Sequence, residues 1–134
     1  MARIKKPQPG KAKNIRQAED AKGTGNLHPA FSFQYMATSH NLHDCQSLEK
    51  ASLAEALFKL SCMTWDDINS SGRHKLGCEK ISQDCIKAPI PKGITPDVTF
   101  LAFRFHHKAP MVGFRRGQIF FIIWLDRDFT LYRH

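Results

Sequence analysis

The feature that most constrains the fold is a run of seven consecutive apolar residues, Ile119–Leu125. A membrane helix needs about 20 such residues, so this run is far too short to be one. It has the length of a β-strand, and a strand that is apolar at every position is one covered on both faces. The run therefore predicts a central strand over residues 118–125, with further layers of structure on each side of it.

The flanking segments predict the other strands of an antiparallel β-meander. Gly117 and the sequence Asp126-Arg-Asp128 have the chemistry of tight turns. Much earlier in the chain, Phe31, Phe33 and Tyr35 alternate with polar residues, which is the period of a half-buried strand. The predicted strands span residues 30–36, 100–105, 112–114, 118–125 and 129–132.

Two helices are predicted between the first strand and the meander. Ser52-Leu-Ala-Glu55 matches a capping box, and leucines at 53, 57 and 60 then share one helical face up to Met63. Thr64-Trp-Asp-Asp67 begins a second, shorter helix, with Gly72 as its stop. Residues 79–86 form one short turn or a strand. The expected fold is α+β: a helical hairpin packed on one face of a curved antiparallel sheet.

The net charge of +8 lies at the two ends of the chain. Residues 1–29 carry seven Lys or Arg against two acidic residues, residues 30–99 carry seven against eight, and residues 100–134 carry six against two. Residues 1–29 also contain few large apolar side chains, so we expect a flexible basic arm followed by one domain at 30–134. Such charge suits a polyanionic partner such as RNA or a ribosome, although it also serves solubility alone.

The sequence predicts a cytoplasmic protein without metal, cofactor or membrane segment. The basic start of the chain has no apolar run behind it, and the four cysteines are expected to be reduced thiols. His43, Cys45, Cys78 and Cys85 are potential zinc ligands, but the cysteine intervals of 17, 16 and 7 positions lack the paired short spacing of structural zinc sites. No phosphate-binding glycine loop and no nucleophile-elbow motif is present.

Candidate functional residues cluster in the meander. Arg and Lys side chains neutralise phosphate, and His is the side chain best suited to move a proton near neutral pH. Arg104 stands between Phe103 and Phe105, so it faces away from them. The alternative is that these residues are only the polar face and turns of a basic sheet. The candidates for catalysis are His134, Tyr132, Arg104 and Arg115; those for nucleic-acid binding are Arg116, Arg133, His106, His107, Lys108, His74, Lys75, Lys5, Lys6, Lys11 and Lys13.

The meander resembles the RelE/YoeB/ParE toxin superfamily of toxin–antitoxin systems. The resemblance lies in Phe103-Arg-Phe105, Val112-Gly-Phe-Arg115, the segment 119–126 and the terminal Tyr132-Arg-His134. It covers residues 30–36 and 47–134. The pattern Phe120-x-Ile-x-Trp-x-Asp126 is also similar to small proteins of bacterial mobile elements.

The resemblance implies a metal-independent mRNA endonuclease, ribosome-dependent or free, that an antitoxin protein neutralises. Arg104 and Arg115 would hold the scissile phosphate, and His134 or Tyr132 would act as acid or base. A gyrase-poisoning toxin of the same fold is one alternative. Another is a non-enzymatic module of a phage or mobile element that docks on nucleic acid or protein.

Overall fold

The computed structural model describes residues 23–71 and 78–134. Their strands form one five-stranded sheet with the order β1-β5-β4-β3-β2. The strands are β1 (Ala30–Ser32), β2 (Glu79–Ile81), β3 (Phe100–His106), β4 (Ala109–Arg116) and β5 (Ile119–Leu125). The helices are α1 (Ser47–Ser61) and α2 (Trp65–Ser70), with short 3-10 turns at Leu42–Asp44 and Gln83–Cys85. The fold is α+β, as the sequence predicts.

Strand β5 is the buried core strand that the apolar run predicts. Residues 120–125 are all buried. Phe120 and Ile122 join the cluster on the helical side of the sheet, while Phe121 and Ile123 join the cluster on the other side. Successive side chains of a strand point to opposite faces of the sheet, so one apolar run contributes residues to both clusters.

The two helices lie on one face of the sheet, as expected. Leu53 and Leu60 of α1 and Trp65 and Ile68 of α2 pack in the cluster that contains Phe103. The opposite face is covered by the segment between β2 and β3, by the C-terminal segment, and by Tyr35 and Ala37. The buried side chains there include Val98, Leu131 and Tyr132.

The start of α1 differs from the prediction. The helix begins at Ser47 rather than Ser52, because Gln46 and Glu49 form the capping box and Glu49 Oε1 accepts the Gln46 N–H at 2.7 Å. Ser52 lies inside the helix and bonds instead to His106 at 2.8 Å. The start of α2 is confirmed: Thr64 caps it, with the Asp67 N–H donating to Thr64 Oγ1 at 3.1 Å.

Strand β1 is shorter than predicted and runs parallel to β5. It ends at Ser32, because the chain turns there and the Met36 N–H donates to the Phe33 carbonyl at 3.0 Å. Tyr35 then packs against Phe121 with ring centroids 5.1 Å apart. The sheet is therefore mixed, whereas the sequence predicts an antiparallel one.

The predicted last strand over residues 129–132 is wrong. Asp126 accepts the backbone N–H groups of Thr130 and Leu131 at 2.8 and 3.1 Å, so the chain curls into a turn. Residues 79–86 are predicted to form either a short turn or a strand. They contain one of each, since strand β2 is followed by the 3-10 turn Gln83–Cys85.

The predicted basic arm lies mostly outside the described residues. Its last seven residues, 23–29, are described, and they bond to the domain. The Gly25 carbonyl accepts the Asp66 N–H at 2.8 Å, and the Leu27 carbonyl accepts the Trp65 N–H at 3.0 Å. Gly25 and Leu27 are therefore bonded to the start of α2.

Candidate functional site

A concave pocket of about 210 Å³ lies where β3 turns into β4 and the C-terminal segment crosses the sheet. Four of the predicted site residues meet there: Arg104, Lys108, Tyr132 and His134. The rest of the lining consists of Glu79, Pro110 and Phe129. A small pocket lined by two cations, one carboxylate and one imidazole is a candidate anion-binding, acid–base site.

His134 is held by a buried carboxylate. Its Nε2 lies 3.0 Å from Oδ2 of Asp126, a residue with no exposed surface. The carboxylate only accepts hydrogen bonds, so Nε2 carries the hydrogen and Nδ1 is the basic nitrogen of the neutral ring. The His134 side chain is 28% exposed, which leaves it accessible to a substrate.

The Asp126 carboxylate also fixes the backbone that carries His134. The two carboxylate oxygens accept hydrogen bonds from the Thr130 and Leu131 N–H groups. The backbone N–H of Asp126 donates to the Pro110 carbonyl at 2.9 Å. His40 lies on the outer side, with Nε2 3.9 Å from Oδ1 and 2.9 Å from Thr130 Oγ1. Asp126 therefore orients the imidazole and anchors the segment in a single interaction network.

Tyr132 forms a wall of the pocket. It is buried, and its hydroxyl donates to Glu79 Oε1 at 3.0 Å. Burial, together with the nearby Glu79 carboxylate, raises the pKa of Tyr132 well above its ordinary value. The hydroxyl proton is therefore held in the hydrogen bond to Glu79. The ring packs against His134 with centroids 4.1 Å apart, which limits how the imidazole can turn.

The cations reach the pocket from β3 and the following turn. Phe103 and Phe105 are buried in the helical-side cluster, and Arg104 between them is exposed on the other side, as the sequence predicts. Arg104 pairs in register with Pro110, another residue of the pocket wall. Lys108 is exposed in the β3–β4 turn. Two positive charges therefore lie at the pocket beside the imidazole.

Arg115 is not part of this pocket. It lies five residues from Pro110, about 17 Å further along β4, and is only 9% exposed. Its guanidinium donates to the Gly117 carbonyl and to Thr24 Oγ1, both at 2.8 Å, and stacks 4.2 Å from the Trp65 ring centre. Burial lowers its pKa. The contacts of Arg115 are those of a packing residue and not of a phosphate ligand.

The other predicted binding residues do not line the pocket. His106 bonds to Ser52 on the helical side of the sheet, and its ring contacts that of His107, with centroids 4.3 Å apart and planes tilted by 57°. Arg116 lies at the end of β4 next to Arg115, and Arg133 is exposed. Six predicted residues lie outside the described part of the chain: His74, Lys75, Lys5, Lys6, Lys11 and Lys13.

The sequence does not predict three residues of this site: Glu79 and Phe129, which line the pocket, and Asp126, which holds His134. Its patterns predict only a turn at Asp126 and a strand at Phe129. The available signal for Asp126 was its position directly after a fully buried strand, since a carboxylate there needs donors close by.

A larger hollow of about 580 Å³ lies between α1 and β3, bordered by Leu48, Glu55, Lys59, His107 and also Arg104, which lines both hollows. It contains neither His134 nor Lys108, so its greater size does not make it the better chemical site. Within residues 23–71 and 78–134, no three His, Cys, Asp or Glu side chains are grouped so that they could hold a metal ion, and His43 with the three cysteines is no exception.

No helix in the described part of the chain is both long and apolar enough to cross a membrane. No protein-family model, curated protein or solved structure matches this chain.

Proposed function

We propose that the protein is an endoribonuclease that cleaves mRNA without a metal ion, using the pocket of Arg104, Lys108 and His134. The observation that carries the proposal is the convergence of two cations with an imidazole whose tautomer is set by a buried carboxylate. This is the combination that phosphodiester cleavage by general acid–base catalysis needs.

In the proposed reaction, Nδ1 of His134 removes the proton of a ribose 2′-hydroxyl, whose oxygen attacks the adjacent phosphorus. Arg104 and Lys108 hold the non-bridging oxygens and stabilise the negative charge that develops on them. The bond from phosphorus to the 5′-oxygen breaks, and water protonates the leaving oxygen. The products are a 2′,3′-cyclic phosphate and a 5′-hydroxyl end.

Tyr132 and Asp126 are positioning residues in this scheme. Tyr132 confines the imidazole by ring packing, while its proton is committed to Glu79. Asp126 keeps Nδ1 as the basic nitrogen. Arg115 has no catalytic role in the proposal, because its guanidinium is buried against Trp65.

By its resemblance to the RelE/YoeB/ParE superfamily, we further propose that the protein is a cytoplasmic toxin that an antitoxin protein neutralises. The substrate is mRNA, either free or on the ribosome. The competing function is a non-enzymatic nucleic-acid-binding module, in which the same cations bind phosphate and no bond is broken.

Purified protein incubated with mRNA, with and without ribosomes, separates the two functions. We expect the wild-type protein to cleave mRNA and leave cyclic-phosphate ends. The His134→Ala variant should have a kcat for this cleavage that is at least about 100-fold lower. His43→Ala is the matched control, because His43 is exposed and does not line the pocket. If wild-type protein binds RNA and leaves it intact under both conditions, the enzyme proposal fails and the binding module replaces it. Inducible expression with and without His134→Ala tests growth arrest in the same way.

A further inference from the structure

Phe129 is an apolar ring exposed at the rim of a charged pocket. Its exposed fraction is 45%, and it lines the pocket together with Arg104, Lys108 and His134. Burial of apolar surface therefore does not explain why a phenylalanine stands at this position. A flat apolar ring beside two cations is instead a surface on which a nucleobase can stack.

The backbone at Phe129 is in a strained conformation. Its φ is +59°, in the left-handed region that glycine or asparagine normally occupies and that is an outlier for a bulky side chain. The turn holds it there, since the Phe129 N–H donates to the Asp126 carbonyl at 3.4 Å and the next N–H groups are bound by the Asp126 carboxylate. Strain that the surrounding structure maintains is characteristic of functional positions.

The ring is also placed against the acid–base residue. The Phe129 and His134 rings are 5.1 Å apart and nearly perpendicular, at 84°. A base stacked on Phe129 would therefore have its sugar and phosphate next to the imidazole and the two cations, which are neighbours in the same pocket.

We propose that Phe129 is a stacking platform for one unpaired nucleobase, and that it makes this site selective for single-stranded RNA over duplex RNA. This inference rests on the proposed function, because it takes the pocket to be the substrate-binding site. A base within a duplex is already stacked on its neighbours, so only an unpaired base can use the ring without a cost for unstacking it.

Binding to non-cleavable oligonucleotides tests the platform independently of catalysis. The full chain is titrated by fluorescence anisotropy with a short single-stranded 2′-O-methyl RNA, its duplex and an abasic version of the single strand. We expect wild-type protein to prefer the single strand, and Phe129→Ala to bind it about 5- to 100-fold more weakly. Phe129→Trp should retain the preference. Phe129→Ala should bind the abasic strand as wild type does, and the salt dependence should not change because the phosphate contacts remain.

Two further variants keep the test decisive. Phe58→Ala removes a phenylalanine that is 66% exposed on α1 and outside the pocket, and it should bind as wild type does. Glycine adopts a positive φ without strain. Phe129→Gly therefore removes the ring and still tests the platform if Phe129→Ala fails to fold. The inference is overturned if Phe129→Ala and Phe129→Gly both bind the single strand with wild-type affinity, or if the wild-type protein binds single strand and duplex equally well. Binding that depends on Phe129 in a protein that cleaves nothing leaves the platform standing and refutes only the proposed catalysis.

Discussion

Replacement of Asp126 by Asn perturbs stability and catalysis through the same three hydrogen bonds. The carboxylate accepts Thr130 N–H on Oδ1, and both Leu131 N–H and His134 Nε2 on Oδ2. An amide has one oxygen, so if it keeps the Thr130 bond, its NH₂ group faces the Leu131 N–H. Leu131 has no exposed surface, and its donor is left without an acceptor.

The magnitude follows from that donor and from the imidazole. A buried donor without a partner costs about 1–3 kcal/mol, so we expect Asp126→Asn to lower the free energy of unfolding by about 2 kcal/mol. For a chain of this size, that lowers Tm by about 6–10 °C. The NH₂ group also donates to His134 Nε2, which moves the ring hydrogen to Nδ1. The basic nitrogen is then on the wrong side, and kcat for RNA cleavage falls by about 10²- to 10⁴-fold.

The assays are thermal unfolding by circular dichroism and single-turnover cleavage of RNA at a temperature where both proteins are folded. Asp128→Asn is the control, because its carboxylate is 64% exposed and bonds to Arg127 at 3.3 Å. It should change the free energy of unfolding by less than about 0.5 kcal/mol. An Asp126→Asn protein that unfolds at the wild-type temperature refutes the burial argument. One that is less stable yet cleaves RNA at the wild-type rate refutes the role of Asp126 in setting the His134 tautomer.

Three other substitutions test how the fold is held together. Arg115→Met should lower the free energy of unfolding, measured in urea, by about 2–3 kcal/mol, because hydrogen bonds and ring stacking are lost. RNA cleavage per folded molecule should stay unchanged. A variant of wild-type stability that no longer cleaves RNA would show that Arg115 acts in cleavage. Gly113→Ala should cost about 2–3 kcal/mol, since a Cβ there would overlap the carbonyl oxygen of Phe121, and an unchanged Tm would contradict that crowding. Hydrogen bonds from the Gln46 N–H and then from Arg127 lower the pKa of Glu49 from its ordinary value of 4.5. The stability that the Glu49 carboxylate contributes is therefore present above that pH and is lost as the pH falls below it. Glu49→Gln should flatten the decline of stability between about pH 5 and pH 3, and a decline as steep as that of the wild type would argue against this role of Glu49.

Local patterns predicted the elements whose formation depends on neighbouring residues. The apolar run 119–125 forms the buried interior strand β5, which lies between β1 and β4. Thr64 caps a helix because its hydroxyl and the Asp67 backbone are three residues apart. Arg104 is opposite the flanking phenylalanines because side chains alternate along any strand. The prediction failed where two local signals competed, as at Ser52 and Gln46, since either can begin a helix.

Local sequence patterns are thus enough to give the α+β class, the two-sided burial of β5 and the side of the sheet to which Arg104 belongs. Contacts between distant parts of the chain set which basic residues share a pocket. Arg104 and His134 are 30 positions apart in the chain, and they meet because Asp126 curls the C-terminal segment back over the sheet. Arg115 has the same charge and lies in the next strand, yet Trp65 and Thr24 bury it. The physical reason is that strand pairing and side-chain burial depend on contacts between distant residues, which no local periodicity records.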